Sequence, residues 1–331
     1  MVIMYELAIG AIIAALFFDF INGFHDAANS IATVVGTRVL KPLQAVTLAA
    51  VANFIGPFLF GVAVATTIGK GIINPDFVTI HIIIGALSGA IVWNLITWWW
   101  GFPSSSSHAL IGGIIGAGIA GAGTHAIIFG GLEKVVTGII ISPIVGLVGA
   151  FLLATLIIRI FANKKPGNVN SVFGKLQLVS ATYFSLTHGA NDGQKTMGII
   201  ALILLTEGII TKFDVPFYVV IMAALAISLG TFLGGWRIVK TMGVKITQLK
   251  PYQGFAAETS GATILAVLAH AGIPASTTHA ISGAIMGAGA VRRVSAVRWG
   301  IGKRIVWAWI ITIPASAGVS YLAMLLIKLF V

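Results

Sequence analysis

Ten apolar runs, most of them long enough to cross a lipid bilayer as a helix, follow one another along this chain of 331 residues. A membrane-spanning helix needs about 20 mainly apolar residues. The runs cover residues 5–36, 43–69, 77–100, 102–121, 135–161, 176–206, 215–236, 253–271, 273–291 and 302–330. Charged residues make up only 9% of the chain, against roughly 25% in a soluble domain, which is too few to cover a soluble surface. We therefore predict an all-α polytopic membrane protein.

The basic residues lie mainly in the connections between these runs and predict the sidedness of the chain. The sequence has 20 Lys and Arg against 9 Asp and Glu, which gives a net charge of +11. With the N-terminus outside, 15 basic residues fall inside, 4 fall outside, and Lys195 lies within a run. Cytoplasmic loops carry an excess of Lys and Arg. We therefore predict a multi-pass protein of the cell inner (plasma) membrane, with both termini extracytoplasmic, the lipid bilayer as its surroundings and no nucleic-acid partner.

Two segments of the sequence occur twice. GFPSSSSHALIGGIIGAGI at 101–119 aligns with GIPASTTHAISGAIMGAGA at 272–290, and 10 of the 19 positions are identical. NGFHDAAN at 22–29 aligns with HGANDGQK at 188–195, where a Gly-x-x-Asp pattern coincides. Glycine-rich membrane helices resemble one another by chance, but the shared Pro, hydroxyl and His positions are more specific. The chain therefore consists of two related halves.

The number of crossings predicts how the two halves are related. The first half has three full crossings and one hairpin, and an odd number makes the second half enter the membrane from the opposite side. We predict an inverted-topology repeat, with a first half at 1–161, a cytoplasmic link at 162–175 and a second half at 176–331. Such repeats are typical of secondary transporters. We also predict broken helices in the runs 5–36 and 176–206, which polar residues interrupt, and two re-entrant helical hairpins.

Two acidic residues, Asp26 and Asp192, lie inside apolar runs. A charge at the bilayer centre costs roughly 2.5–3.5 kcal/mol even on a lenient scale, so each needs compensation. Carboxylates, amide oxygens and the carbonyls of an opened helix are ligands that suit Na⁺. The predicted Na⁺ ligands are Asn22, Asp26, Asn29, Asn191, Asp192, Thr196 and Glu258. Alternatively, each Asp pairs with Lys195 or a histidine, and Glu258 is an interfacial charge.

The two hairpin tips carry hydroxyl groups directly after a proline. A proline followed by Ser or Thr favours the start of a helix, whose free N–H groups and positive dipole end attract an anion. Two such tips that meet near the midplane would form an oxyanion cradle. The predicted phosphate ligands are Ser104, Ser105, Ser106, Ser107, Ser276, Thr277, Thr278, Gln194 and Lys195. Lys195 either neutralises Asp192 or faces the anion, and ordinary helix capping is the alternative function of the tips.

These motifs resemble those of the inorganic phosphate transporter family. NGFHDAANSIATVVGTRVL and LTHGANDGQKTMGI look like its duplicated G-x-N-D signature, and the tips GFPSSSSHA and GIPASTTHA are similar to its hairpins. The resemblance implies Na⁺- or H⁺-coupled uptake of inorganic phosphate by an inverted-repeat protein that forms a homodimer. Two departures stand out, because His25 replaces an amide of the signature and Asn53 replaces an acid found in some eukaryotic members.

Several functions remain open at this point. The first is Na⁺/phosphate symport, with Na⁺ as coupling ion and no cofactor; H⁺ coupling and sulfate transport are close alternatives. From another class, Ser105 and His108 are three residues apart and could form the dyad of an intramembrane serine hydrolase, although a G-x-S-x-G elbow is absent from the sequence. A channel is the remaining alternative, but mid-membrane carboxylates in an inverted repeat favour alternating access.

Overall fold

The computed structural model describes residues 2–330, and α-helices make up nearly all of its regular structure. In this part of the chain, extended structure is limited to an isolated bridge between Ile73 and Ile127. The first six helices are α1 (Val2–Gly36), α2 (Pro42–Leu59), α3 (Ala63–Lys70), α4 (Ile80–Trp100), α5 (Ser106–Ala122) and α6 (Phe129–Ile160). The next six are α7 (Pro166–Thr206), α8 (Phe217–Leu233), α9 (Trp236–Lys240), α10 (Pro251–His270), α11 (Thr277–Ala290) and α12 (Trp299–Ile327).

Several of these helices are long and apolar enough to cross a bilayer. Within the described residues, five qualify by length and composition alone, namely α1, α2, α4, α6 and α12. Helix α8 and the segment Trp236–Lys245 qualify when taken together, with a bend of 59° between them, and count as a sixth span if the pair crosses as one. The predicted class of an all-α polytopic membrane protein is therefore confirmed.

The prediction that the first span of each half is broken is wrong. Helices α1 and α7 are continuous over 35 and 41 residues, although polar side chains lie at their centres. Several of these side chains bond to other helices, as Asn29 bonds to Thr277 and Thr278, so the backbone does not have to open to compensate them. The interruptions instead follow Leu59 and Leu233, where α2 gives way to α3 and α8 to α9.

The two halves are interleaved, because helices of one half pack on helices of the other. A Cβ atom on Gly23 of α1 would lie 2.3 Å from the carbonyl oxygen of Ile227 in α8. A Cβ atom on the equivalent Gly189 of α7 would lie 2.4 Å from the carbonyl oxygen of Asn53 in α2. Helix pairs α1–α8 and α7–α2 therefore approach each other closely at matching positions.

The hairpin helices α5 and α11 also pack on helices of the other half. A Cβ atom on Gly112 of α5 would lie 2.4 Å from the carbonyl oxygen of Ile313 in α12, and one on Gly283 of α11 would lie 2.2 Å from that of Pro143 in α6. The two glycines are 171 positions apart, which is the offset of the aligned tips. The packing of the helices thus repeats as the sequence does. The inverted orientation of the two halves and the re-entrant course of the hairpins stay predictions.

The connections predicted to lie inside come together at one end of the molecule. Arg38, Lys240 and Lys250 line one cavity there, and Lys164, Lys250 and Arg292 line another. This clustering agrees with the predicted sidedness, and the assignment of this end to the cytoplasm remains a prediction. Helix α7 begins at Pro166 and thus includes most of the predicted link. The first predicted half begins at Met1 and the second ends at Val331, and both of these residues lie outside the described range.

Candidate functional site

The acids of the two duplicated motifs meet at one buried place. Asp26 of α1 and Asp192 of α7 each present a carboxylate oxygen, and these oxygens and a ring nitrogen of His188 all lie within 4.8 Å of one another. The three residues are at most 2% exposed. Since α1 and α7 belong to different halves, the site is shared between the halves and is suited in charge to a cation.

Asp192 joins both hairpin tips through its neighbours. Lys195, one helical turn further along α7, donates a hydrogen bond to Asp192 and another to Ser107 of the first tip. Thr277 of the second tip donates to the other carboxylate oxygen at 3.2 Å. The two tips also touch, because the Ser107 hydroxyl donates to the carbonyl oxygen of Ala275 at 3.4 Å. Lys195 therefore pairs with Asp192 and also contacts the first tip; that it faces an anion stays a prediction.

Asp26 has a different partner, His25, which precedes it in the first motif at the position where the family signature has an amide. The Nδ1 atom of His25 lies 2.7 Å from Asp26 Oδ1. The Nε2 atom of the same ring lies 3.0 Å from the hydroxyl of Thr97, which accepts a hydrogen bond from Ser104 at 2.8 Å. His25 therefore connects the first acid to the first tip, as Lys195 connects the second acid to it.

The hydroxyls of the two tips differ in what they contact. Ser105 and Ser276 are N-caps of α5 and α11 and accept hydrogen bonds from the backbone N–H groups of His108 and His279, at 3.3 and 3.2 Å. Ser106 has no hydrogen-bond partner within residues 2–330. The capping function is thus present together with side chains that are available to a ligand.

The contacts of Ser105 and His108 are not those of a serine hydrolase dyad. The Ser105 oxygen contacts the backbone nitrogen of His108, and neither ring nitrogen of His108 has a hydrogen-bond partner in the described chain. A catalytic dyad needs the base within hydrogen-bond reach of the nucleophile. The ring of His108 instead meets the edge of the His279 ring, with centroids 4.3 Å apart.

Several buried polar atoms of α1 and α7, from residues close in sequence to the acids, have no hydrogen-bond partner in residues 2–330. This group comprises both carboxylate oxygens of Asp19, the amides of Asn22 and Asn191, and the hydroxyl of Thr196. Thr196, Asn22, Asp192 and Lys195 lie close enough to the Asp19 carboxylate to interact with it. A buried polar atom without a partner is costly, so this group is suited to a ligand that oxygens coordinate.

Two of the predicted site residues lie apart from this centre. The Gln194 side-chain oxygen accepts hydrogen bonds from the backbone N–H groups of Val64 and Ala65, at 2.9 and 3.4 Å, and so caps the first turn of α3. Glu258 accepts from Gln177 at 2.9 Å and from Ser180, in a separate polar cluster between α7 and α10. The contacts of Gln194 thus give it a structural role at the start of α3. Glu258 bonds to residues outside the group formed by Asp26, His188 and Asp192.

Asp19 and His188 are not among the site residues that the sequence predicts. Asp19, Asn22 and Asp26 stand at positions i, i+3 and i+7 of α1, which places them on one helix face. That spacing was a usable signal for Asp19. His188 precedes Asp192 by four residues, and its Nε2 atom lies 3.3 Å from Asp192 Oδ2. Its other ring nitrogen lies 3.2 Å from Asn53 Oδ1, a contact between α7 and α2 that spacing along α7 does not reveal.

Known proteins resemble this chain along nearly its whole length. A protein from Rhizobium meliloti (strain 1021), named "Probable low-affinity inorganic phosphate transporter", is 56% identical over 319 residues, which is 96% of both chains. A protein of the same name from Bacillus subtilis (strain 168) is 45% identical over 330 residues and 99% of both chains. A solved structure titled "The sodium-dependent phosphate transporter" superposes with a TM-score of 0.88 at 28% identity, covering 98% of this chain and all of the other.

The family model agrees with the individual relatives. The model of the phosphate transporter family matches residues 22–320, from the Asn22 motif of α1 to the last part of α12. This range contains both acids and both tips. These relatives are transporters and not enzymes, which also decides against the hydrolase. On this evidence, the chain belongs to the phosphate transporter family.

Proposed function

We propose that this protein takes up inorganic phosphate in symport with Na⁺ by alternating access. The observation that carries the proposal is the shared position of Asp192 and Lys195, which contact a hydroxyl of each tip. An anion that enters between the tips meets hydroxyl donors from both halves together with the Lys195 ammonium. The Asp192–Thr277 contact is also one that a protonated phosphate can replace by donating to the carboxylate, whereas sulfate has no proton to donate.

The formal charge of the buried cluster supports coupling to cations. Three carboxyl groups, those of Asp19, Asp26 and Asp192, stand against the one ammonium group of Lys195, so the cluster has a formal charge of −2 when all four groups are ionised and the histidines are neutral. Two monovalent cations would cancel this charge, which otherwise repels the anion. The oxygens of Asp19, Asn22, Asn191 and Thr196 that lack partners in residues 2–330 are hard ligands suited to Na⁺. Phosphate then binds well only after the cations, and this order couples the two.

Proton coupling is a second candidate, and the contacts of His25 favour it. Its ring bridges Asp26 and Thr97, so a proton held by the His25–Asp26 pair could take the place of one Na⁺. The sodium candidate is preferred because both oxygens of Asp19 and the side chains of Asn22 and Thr196 near it have no hydrogen-bond partner in residues 2–330, whereas both ring nitrogens of His25 have one. The coupling ion therefore distinguishes the two candidates, while the phosphate cradle is common to both.

Uptake of labelled phosphate into proteoliposomes tests the proposal. We expect accumulation when a Na⁺ gradient is imposed at equal pH on both sides, and little when a pH gradient is imposed without Na⁺. Asp26→Asn and Asp192→Asn should abolish Na⁺-driven accumulation, whereas Asp76→Asn, which changes an exposed acid, should leave it intact. Accumulation driven by the pH gradient alone would replace sodium by the proton. Equal uptake by all variants would overturn the assignment of the acids.

A further inference from the structure

A small basic cavity lies at the end of the molecule that carries the predicted cytoplasmic connections. It has a volume of about 220 Å³ and is bounded by the end of α6, the starts of α7 and α10, and the segment after α11. Among the described residues, eleven line it; three of these, Lys164, Lys250 and Arg292, are cationic and none is acidic. The three cations come from three different connections, and folding brings them together around one space.

Part of the cavity lining is apolar. Ile157, Phe161 and Val169 form part of its wall, next to the buried ring of Tyr252. The Tyr252 hydroxyl accepts a hydrogen bond from Arg292 Nε at 3.2 Å. This contact holds the guanidinium at the cavity by one of its five N–H groups and leaves the others to face a ligand.

The cations of the cavity lack acidic partners. The ion pairs of residues 2–330 involve Asp26 and Asp192 at the central site, and none includes Lys164, Lys250 or Arg292. Three like charges around one small space repel each other until an anion binds. A guanidinium forms paired hydrogen bonds to phosphate oxygens, and lysines add charge without demanding geometry. Basic pockets between membrane helices on the cytoplasmic side suit phosphate-bearing headgroups.

We infer that this cavity is a second anion site, separate from the transport site, which binds a phosphate group carried by an anionic lipid or free in solution. Its ligand would join two parts of the protein. Lys250 and Tyr252 stand at the start of α10 and Arg292 follows α11, so they form the base of the hairpin whose tip carries Thr277. Lys164 belongs to the connection between the halves. A bound phosphate group therefore braces the second hairpin against that connection.

Two double variants with the same change of charge test the site. K164Q/R292Q removes two cations of the cavity, and K165Q/R293Q removes their immediate neighbours, which do not line it. Purified protein in detergent is titrated separately with phosphatidylglycerol, phosphatidylcholine and inorganic phosphate, and native mass spectrometry counts the bound molecules. Because the readout is binding, its outcome does not depend on the coupling ion or on transport.

We expect the dissociation constant for phosphatidylglycerol to rise roughly 25-fold in K164Q/R292Q, at about fivefold for each basic residue near a charged headgroup. K165Q/R293Q should change it by less than about threefold, and phosphatidylcholine should bind weakly to all variants.

If K164Q/R292Q instead loses one bound inorganic phosphate while lipid binding is unchanged, the source is free phosphate and the site stands. Tyr252→Phe keeps all three charges and is the second test if K164Q/R292Q does not fold. It should weaken binding of the same ligand. Equal binding of both probes by the cavity variants and the wild type overturns the inference.

Discussion

Asp26 and Asp192 bring carboxylate oxygens within 4.8 Å of each other, although 166 positions separate them in the chain. Two such charges repel by about 3 kcal/mol at an effective dielectric constant of about 20. His25 and Lys195, each close in sequence to one acid, partly compensate this repulsion. The remaining negative charge makes the site receptive to cations, and each prediction below on transport follows from this relationship.

Replacement of Asp19 should weaken sodium binding. Asp19→Asn removes one negative charge and one of two carboxylate oxygens that have no partner in residues 2–330. An interaction with a charged group is worth about 1.5–3 kcal/mol, so the sodium concentration for half-maximal uptake should rise about tenfold or more. Asp214→Asn is the matched control, since Asp214 is exposed and bonds to the backbone of Val215. Unchanged sodium dependence in Asp19→Asn would remove Asp19 from the cation site.

Loss of the Lys195 ammonium should destabilise the protein and increase its response to sodium. Lys195→Met leaves Asp192 as a buried charge without its partner, at a cost of about 3–5 kcal/mol. The double variant K195M/D192N should recover part of this loss but not transport. Sodium should raise the thermal unfolding midpoint of Lys195→Met more than that of the wild type, because the ion replaces the missing charge. Additive effects of the two substitutions would show that the pair is not coupled; Lys212→Met is the surface control.

The sequence was sufficient to predict the class of fold and to single out the motifs that come together in the interior. Apolar runs and loop charges predicted a polytopic helical membrane protein, and duplication marked Asp26, Asp192 and both tips before their contacts were known. Duplication is informative because two copies of one motif on packed, related halves tend to meet near the interface between them. The meeting of Thr277 with Asp192 is an example.

Contacts between helices were beyond the reach of the sequence. Gln194 stands next to Lys195, yet its side chain caps α3 while Lys195 turns to the tips. Neighbouring residues on a helix point about 100° apart, and spacing does not say which direction faces which helix. The predicted breaks in α1 and α7 failed for the same reason, because the partners that compensate their polar side chains lie on other elements.

The close helix crossings give a prediction on stability. Gly189→Ala and Gly23→Ala would each place a Cβ atom 2.3–2.4 Å from a backbone carbonyl oxygen of the partner helix. The helices must separate to relieve this clash, which should cost about 1–3 kcal/mol or more and lower the thermal unfolding midpoint in detergent. Gly318→Ala is the control, since within residues 2–330 no atom apart from its chain neighbours and the backbone of its own helix lies within 4 Å of its Cβ position. Equal stability of Gly189→Ala and the control would show that α2 and α7 do not pack as described.

The sidedness of the chain can be tested by labelling. The chain has no cysteine, so a single cysteine at position 168 gives an unambiguous signal. Asn168 is exposed at the start of α7, in the predicted cytoplasmic connection. In intact cells an impermeant thiol reagent should label Asp214→Cys, which lies in a predicted outside loop, and should reach Asn168→Cys only after lysis. Labelling of Asn168→Cys from outside would invert the proposed topology.

The sharpest prediction concerns the hydroxyls of the two tips. Ser106 and Thr277 occupy equivalent positions on the first turns of α5 and α11, and the tips touch through Ser107 and the Ala275 carbonyl. One phosphate between them should therefore contact both. Removing a hydroxyl donor costs about 0.5–1.5 kcal/mol, rising to about 3 kcal/mol where the partner is charged. Ser106→Ala and Thr277→Val should each weaken phosphate binding about tenfold.

The controls for this prediction separate a cradle from simple capping. Ser142→Ala, a buried hydroxyl of α6, should leave phosphate affinity unchanged, and sodium binding without phosphate should change little in either tip variant. Ser105→Ala and Ser276→Ala remove the caps as well, so they should lower both affinity and thermal stability, because a cap contributes about 1 kcal/mol to its helix. If alanine at Ser105, Ser106 and Ser107 together reduced stability but left phosphate affinity intact, the tips would be helix caps, and phosphate would have to bind elsewhere.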